Sequence, residues 1–390
     1  MSDQYDVELS EDHIILRDMV RKFADKEIAP FVDRDENEHR FNRELVEKIA
    51  ELNLFGCPIP EEYGGNNMGY LAHAIVTEEI GRVSGSLRIA FNMQTMGTSL
   101  SILKWGSEEL KSKYIPELVA ARLLGCFAMT EPDSGSDTAS MASTAVKDGD
   151  HYILNGRKMW ISWAPVADIG IIFAMTDKAA KHKGMSVFLI DMHAPGVSTV
   201  TIKEKLGIWA CPTGEIIMED VRVPAGNRLG DEGKGFNYLM QELASTRLTA
   251  ASGAVGTCQA ALDAAIKYAN ERKQFGRPIA EFQMVQEVIA RMVAETEAAR
   301  ALVWRCAMQK DRGLLNNMRE TVLAKYYASK AADEVPNLGL EVLSAYGYSN
   351  EYPIARILRD GKVYKILEGA TNIMKMILAT DALGIKKANR

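Results

Sequence analysis

The stretch HYILNGRKMWIS, residues 151–162, decides the fold class of this chain. It contains two strand-like runs, His151–Leu154 and Arg157–Ile161, on either side of Asn155-Gly156, the dipeptide that is most typical of a two-residue β-hairpin. We therefore predict a hairpin with its turn at Asn155-Gly156. More strand-like runs follow at 168–175, 185–190, 198–202 and 215–223. Together they predict a compact β module with too little helix between its strands for a parallel α/β sheet.

Helical patterns lie on both sides of the β module. Before it, apolar residues recur at helical spacing after Ser10, a predicted N-cap, and then over 42–54, 70–83, 93–104 and 108–120. After it, three segments are long enough for a helical bundle, at 236–272, 281–311 and 317–345. A turn-rich link between Pro353 and Gly361 and a helix after Gly369 complete the pattern. The sequence thus predicts an α+β protein in three parts, 1–122, 123–236 and 237–390.

Composition excludes several classes of protein. The 390 residues are 47% hydrophobic and 25% charged, which is typical of a folded soluble protein, and the net charge of -6 argues against a nucleic-acid partner. No apolar run approaches the roughly 18 residues of a membrane span, and the first ten residues carry three acids without a basic segment, so neither membrane insertion nor secretion is predicted. The five cysteines are widely spaced without CxxC, which predicts free thiols, no metal site and a cytoplasmic location.

Three local features suggest chemistry. TEPDSGSD at 130–137 is a turn rich in hydroxyl groups that could present donors to a polar ligand, although a plain surface turn is the alternative. Trp160 stands two residues before Ser162 in the predicted β module, where a core tryptophan is the alternative. Glu368 lies in apolar company just before Gly369, and a carboxylate in a water-poor pocket could act as a base.

Five motifs in the same order resemble those of the acyl-CoA dehydrogenase family of flavoproteins. They are FAMTEPDSGSD (127–137), KMWIS (158–162), ERKQFG (271–276) with Gln283, YGYSNEYP (346–353) and LEG (367–369). The resemblance covers essentially the whole chain. It implies an N-terminal helical domain, a middle β-barrel or sandwich domain and a C-terminal four-helix bundle.

The resemblance also implies one non-covalent FAD per subunit. Thr130 would bond the pyrimidine ring, Trp160 would cover the ring system, and Ser162 would hydrogen-bond near N5 or O4. The other implied cofactor-binding residues are Phe127, Met129, Gly135, Ser136, Arg272, Gln274, Phe275, Gln283, Glu341, Ala345, Thr371 and Asn372. The segment from Arg272 to Gln283 would reach the FAD of a neighbouring subunit, which implies a homo-oligomer and, as is usual in the family, a homotetramer.

For the reaction, the resemblance implies that Glu368 removes the α-proton of an acyl-CoA thioester while the flavin accepts hydride from the β-carbon. The Glu368 backbone N–H would bond the thioester carbonyl, with Gly369 beside the substrate. Ser136 and Arg247 would meet the CoA moiety. The long C-terminal extension of the oxidase relatives is missing, so electron-transferring flavoprotein is the expected electron acceptor.

The stretch RVSGSLRIAFNMQ (82–94) resembles glutaryl-CoA dehydrogenases, in which an arginine at the position of Arg88 holds the distal carboxylate and Asn92 would also face the substrate. The alternative is that Arg88 pairs with Glu78 or Glu79. Decarboxylating members carry glutamate and tyrosine where this chain has Gly81 and Leu367. We therefore expect oxidation of glutaryl-CoA to glutaconyl-CoA without decarboxylation.

Three other interpretations stay open. One is a decarboxylating glutaryl-CoA dehydrogenase, and another is a dehydrogenase of a cyclic, aryl- or longer dicarboxylyl-CoA. The third is a flavin-free acyl-CoA-binding relative, and a yellow colour on purification would exclude it.

Overall fold

The computed structural model describes residues 8–315 and 317–385. Its first part is helical, and Ser10 caps the first helix as predicted, with its hydroxyl accepting from the His13 N–H at 3.4 Å. Two π-helical segments interrupt the pattern, Ala24–Ile28 and Phe91–Ser99. The helices are α1 (Glu11–Phe23), α2 (Ala29–Asn37), α3 (Arg43–Glu51), α4 (Gly69–Val83), α5 (Leu100–Trp105) and α6 (Glu108–Val119).

The middle part is an eight-stranded sheet over its own apolar core. The strand order is β6-β7-β3-β2-β4-β5-β8, and β1 pairs in parallel with the first half of β4. The neighbours β3–β7 and β4–β5 are antiparallel. The strands are β1 (Gly125–Ala128), β2 (Thr144–Asp148), β3 (His151–Ser162), β4 (Ile169–Met175), β5 (Met185–Asp191), β6 (Val197–Thr201), β7 (Thr213–Pro224) and β8 (Arg228–Leu229).

The predicted hairpin at Asn155-Gly156 is wrong, because β3 runs through both residues. Gly156 has a φ of 145° at an irregularity in the β3–β7 register, and a Cβ there would lie 2.3 Å from the Ser143 hydroxyl. The Asn155 side chain exchanges hydrogen bonds with Asp220 at 2.8 and 2.9 Å. The dipeptide therefore builds a β-bulge. The two-residue turn lies earlier, at Gly149-Asp150, where Asp148 pairs with His151.

The C-terminal part is a bundle built around three long helices. Its apolar core is lined by α7, α8 and α9 and is closed by Ile354, Ile357 and Tyr364. The predicted turn-rich link between Pro353 and Gly361 is wrong, because those residues form a helix with proline in its first turn. The elements are α7 (Gly235–Glu271), β9 (Lys273–Gln274), β10 (Arg277–Pro278), α8 (Gln283–Asp311), α9 (Met318–Leu343), α10 (Pro353–Gly361) and α11 (Thr371–Ala382).

The first and last parts meet where α4 crosses α7. A Cβ on Gly81 would lie 3.3 Å from the Gly253 Cα, so the two backbones approach closely at this crossing. The division into domains at 122/123 and 236/237 stays a prediction. Within residues 8–315 and 317–385, no helix is both long and apolar enough to cross a membrane.

Candidate active site

Glu368 lies where the loop after α10 meets the first half of α7. Its Oε2 accepts a hydrogen bond from the Thr246 hydroxyl at 2.6 Å, and its Oε1 accepts from the Asn92 amide at 3.3 Å. Arg247 donates from Nε to the Glu368 carbonyl at 3.0 Å. The backbone of Glu368 is left-handed, with φ at 55°, and that of Gly369 is at 103°. A non-glycine residue in this region is uncommon and is often tied to function.

Arg88 lies on the far side of Asn92 from Glu368 and is fully buried. Its Nη1 donates to the Asn92 Oδ1 at 2.8 Å, and its guanidinium carbon lies 4.7 Å from the centre of the Tyr364 ring. Its Nε and Nη2 are buried and have no hydrogen-bond partner in the described part of the chain. A Cβ on Gly253 would lie 2.6 Å from the Arg88 Cδ, so this glycine leaves the room that Arg88 occupies.

The carboxylates that could have neutralised Arg88 are occupied elsewhere. Glu78 accepts from Arg300 at 2.7 Å and from the Trp304 indole at 3.2 Å. Glu79 accepts from Arg21 at 2.9 Å through both of its oxygens. The alternative that Arg88 pairs with Glu78 or Glu79 is therefore wrong.

A second group of implied site residues lies on the sheet. Thr130 follows β1 and is joined to β3 through its carbonyl, which accepts from the Met159 N–H at 2.9 Å. Trp160 stands on β3 with a left-handed φ of 62° and 57% exposure, and Ser162 ends the same strand. Phe127 on β1 packs edge-on against Phe173. The implied flavin-contacting residues of the two strands are thus brought together.

A buried ion pair supports this group of sheet residues. Lys158, fully buried on β3, donates to the Glu131 carboxylate at 2.8 Å. Glu131 also accepts from the backbone N–H groups of Ala142 and Ser143 at 2.6 and 3.1 Å. Burial lowers the pKa of Lys158 to about 8, while the Glu131 charge opposes that shift. The pair ties the turn after Thr130 to the strand that carries Trp160.

The segment after α7 lies away from Glu368. Gln274 and Phe275 belong to the short β9–β10 hairpin, whose tip exposes 94% of Phe275. Arg272 stacks over the Tyr346 ring at 5.2 Å, and Gln283 at the start of α8 is exposed.

The remaining predicted residues lie at the surface or partly covered. Met129 is partly buried beside the core, and Thr371 is partly buried and donates to the Lys365 carbonyl at 3.1 Å. Five others have exposed side chains or, for glycine, an exposed backbone: Gly135, Ser136, Glu341, Ala345 and Asn372.

Comparison with known proteins gives the family. Residues 10–122, 126–221 and 233–383 match the acyl-CoA dehydrogenase N-terminal, middle and C-terminal domains, respectively. The chain belongs to the acyl-CoA dehydrogenase family. It is therefore an oxidoreductase that acts on an acyl-CoA thioester, and its cofactor is FAD.

Individual acyl-CoA dehydrogenases are similar over their whole length. A glutaryl-CoA dehydrogenase of Desulfococcus multivorans is 50% identical over 389 residues, which cover 99% of this chain and 100% of that protein. The structure of a glutaryl-coenzyme A dehydrogenase–glutaryl-CoA complex superposes with a TM-score of 0.96 at 50% identity, covering 99% of this chain and 98% of that one. The structure of a glutaryl-CoA dehydrogenase from Mycobacterium smegmatis in complex with FADH2 superposes with a TM-score of 0.92 at 28% identity. The match covers 98% of this chain and 97% of that one.

The residues present fit FAD. Trp160 leaves more than half of its surface uncovered near the end of β3, and its left-handed φ departs from regular strand geometry. A planar aromatic ligand would bury that surface, and Thr130 and Ser162 would supply polar contacts at its edge. FAD supplies the hydride acceptor when it is bound.

Two residues of this site were missed by sequence reasoning. Thr246 contacts Glu368 directly, but its only local signal is its place before Arg247. Lys325, on α9, donates to two carbonyls of the loop that carries Glu368. Nothing local in the sequence distinguishes it from the other lysines, because its partners are 39 and 44 residues away.

Proposed function

We propose that this acyl-CoA dehydrogenase oxidises glutaryl-CoA to glutaconyl-CoA and retains the distal carboxylate. The observation that carries the proposal is the unpaired state of Arg88. A guanidinium does not become neutral by losing a proton, because its pKa is too high. Burying one without an anion therefore costs folding free energy. The anion is supplied by the substrate.

The geometry of Arg88 favours a carboxylate over other anions. Nε and Nη2 lie on the same edge of the guanidinium plane, and both are unpartnered among the described residues. That edge matches the two oxygens of a carboxylate, which it binds through parallel hydrogen bonds. Asn92 on Nη1 and the Tyr364 ring on one face keep the plane from rotating.

Glu368 is proposed as the base that removes the α-proton. Thr246 and Asn92 hold its two oxygens, so the carboxylate is oriented before substrate arrives. Asn92 accepts a hydrogen bond from Arg88 and donates one to Glu368, so a single side chain separates these two residues. We take Arg88 and Glu368 as the two ends of the proposed acyl site. That short span suits a five-carbon diacid thioester. The Glu368 backbone N–H is proposed to bond the thioester carbonyl and stabilise the developing enolate.

Retention of the carboxylate is supported at two positions. A glutamate at position 81 would have to enter a crossing where even a Cβ lies 3.3 Å from the Gly253 backbone. Leu367 provides an apolar side chain where decarboxylating members have tyrosine. The second proton donor or polar contact that would assist loss of carbon dioxide is therefore absent from both positions.

Partners and location are also proposals. Electron-transferring flavoprotein is proposed as electron acceptor from family membership. A homotetramer is supported by the β9–β10 hairpin, since the 94% exposure of Phe275 and the 83% exposure of Met284 leave large apolar side chains for a neighbouring subunit to cover. A reducing compartment, the cytoplasm, is supported by five free, buried cysteines.

The test is anaerobic mixing of the FAD-loaded enzyme with glutaryl-, butyryl-, adipyl-, cyclohexanecarboxyl- and 3-phenylpropionyl-CoA, followed by flavin bleaching. Glutaryl-CoA is expected to bleach the flavin fastest and to yield glutaconyl-CoA. Carboxyl-labelled glutaryl-CoA that releases stoichiometric label as carbon dioxide contradicts the non-decarboxylating assignment. Faster bleaching by any other thioester contradicts the assignment of glutaryl-CoA as the substrate.

The base is tested separately by Glu368→Gln. This variant is expected to keep FAD and to lose at least about 100-fold in bleaching rate, because an amide cannot accept the proton. Thr246 can still donate to the new amide oxygen, so the fold around it is retained. Near-normal bleaching would remove Glu368 from its role.

A further inference from the structure

The loop that carries Glu368 has little regular structure of its own. It leaves a short 3₁₀ turn at Lys362–Lys365 and ends at Gly369, just before α11. Left-handed backbone at Glu368 and Gly369 prevents it from continuing as a helix. Its position must therefore come from side chains of other elements.

Lys325 is the side chain that joins the two ends of this loop. It is fully buried on α9, and its Nζ donates to the Tyr364 carbonyl at 2.9 Å and to the Gly369 carbonyl at 2.7 Å. Those two carbonyls bracket Glu368 in the chain. Arg247 adds a contact in the middle, at the Glu368 carbonyl.

We propose that Lys325 is a positioning residue for the base, which it serves by holding both ends of the loop that carries Glu368. The inference rests on the proposed role of Glu368. It does not depend on which acyl group the enzyme oxidises.

The same clamp reaches the other end of the acyl site. Tyr364, whose carbonyl Lys325 holds, carries the ring on which the Arg88 guanidinium lies at 4.7 Å. One buried ammonium group thus fixes the backbone that bears the base and the backbone that bears the support of Arg88. A shift of about 1 Å in either would cost about 100-fold in rate.

The charge of Lys325 acts on Glu368 together with other groups. Burial lowers the pKa of Lys325 to about 8, the Glu368 carboxylate opposes that shift and Arg247 adds to it, so the ammonium is charged at neutral pH. Arg247 and Glu242 face Glu368 from α7, and Arg88 reaches it through Asn92. Lys325 therefore binds the two carbonyls as an ammonium group, whose hydrogen bonds are stronger than those of a neutral amine.

The experiment compares Lys325→Met with Lys330→Met, which removes an exposed lysine from the same helix. FAD content and thermal unfolding are recorded first. Anaerobic flavin bleaching is then followed over a range of thioester concentrations, with whichever thioester reduces the wild type fastest, so that the limiting rate and the apparent Kd are separated. Lys325→Met is expected to keep FAD and to lose about 100-fold in limiting rate with a much smaller change in apparent Kd, because the base is misplaced while the thioester still binds. Lys330→Met is expected to behave as the wild type.

Two further variants keep the inference falsifiable. Lys325→Arg retains charge and donors and is expected to recover most of the limiting rate. Should Lys325→Met fail to fold, Lys325→Gln, which is shorter and uncharged, is expected to show the reduced limiting rate. An FAD-loaded Met or Gln variant with a wild-type limiting rate overturns the inference. If Glu368→Gln instead bleaches normally, the proposed role of Glu368 as the base is wrong. That outcome is distinct from a failure of the Lys325 inference, in which Glu368→Gln is slow and the Lys325 variants are not.

Discussion

Lys158 in the sheet and Arg88 beside the bundle are both fully buried cations, but their surroundings differ. Lys158 has a carboxylate partner, Glu131, whose oxygens are also bonded to two backbone N–H groups. Arg88 has an amide and a ring, with two donors left over in the described part of the structure. A satisfied buried pair belongs to the architecture, whereas a buried cation with free donors indicates a missing anion.

The largest effect on this comparison is expected from Lys158→Met. It leaves the Glu131 charge buried without its cation, which costs about 3–5 kcal/mol of unfolding free energy. Urea unfolding of the FAD-loaded protein measures it. Arg157→Met is the matched control on the same strand, because Arg157 is 57% exposed in its pair with Glu215 and should contribute less than about 1 kcal/mol. Equal losses in the two variants would contradict the distinction.

Arg88→Met is expected to behave in the opposite way. The free energy of unfolding should stay the same or rise, because an unpaired buried charge is removed. The kcat/KM for glutaryl-CoA should fall by about 30- to 150-fold, the equivalent of about 2–3 kcal/mol for charged hydrogen bonds, while that for butyryl-CoA should not fall. A variant that loses stability and keeps its preference for glutaryl-CoA would make Arg88 architectural like Lys158.

His73 sharpens the comparison with the smallest effect. It is fully buried on α4, its Nε2 lies 2.8 Å from the Thr249 hydroxyl, and burial lowers its pKa to about 3. Unlike Arg88, His73 is neutral in the folded protein, so its burial does not carry the desolvation energy of a charge. The unfolded chain takes up a proton at His73 below about pH 6.5, so folding stability falls as pH falls.

Over the first pH unit below that value, wild type should lose about 1 kcal/mol more than His73→Gln in unfolding free energy. The measurement is urea unfolding at paired pH values. The other histidines are common to both proteins, so their contributions cancel in the difference. Identical pH dependence in the two proteins would show that His73 does not titrate as its burial requires.

The fold could be predicted from the sequence, but the state of Arg88 could not. The helical segments and most strands follow local periodicity. The family motifs indicate Glu368, whose carboxylate lies against Thr246 and Asn92 in the structure, and its role as the base stays a prediction. Asn155-Gly156 predicted a turn but forms a bulge. The polar side chain and the permissive glycine backbone that favour a turn also suit a bulge, provided that a neighbouring strand supplies hydrogen-bond partners, as Asp220 does here. The local sequence is the same in both cases and does not distinguish them.

The partners of Glu78 explain why the pairing state of Arg88 could be determined only from the structure. In sequence, Glu78 lies ten residues from Arg88, whereas Arg300, its actual partner, lies 222 residues away. The assignment of one acid to one base among several is settled by tertiary packing. The same reason hides the contacts of Lys325, because its partners are backbone carbonyls that carry no sequence signal.

The close passage of α4 against α7 at Gly81 and Gly253 bears on how such enzymes diverge. A Cβ at 81 would meet the Gly253 backbone at 3.3 Å and the Arg88 Cγ at 3.7 Å, so a larger side chain there fits only if these neighbours move by a few tenths of an ångström. Gly253 is also the residue that leaves room for Arg88. Under the proposed function, we therefore expect that Gly81→Glu alone disturbs the surroundings of Arg88 and does not by itself confer decarboxylation.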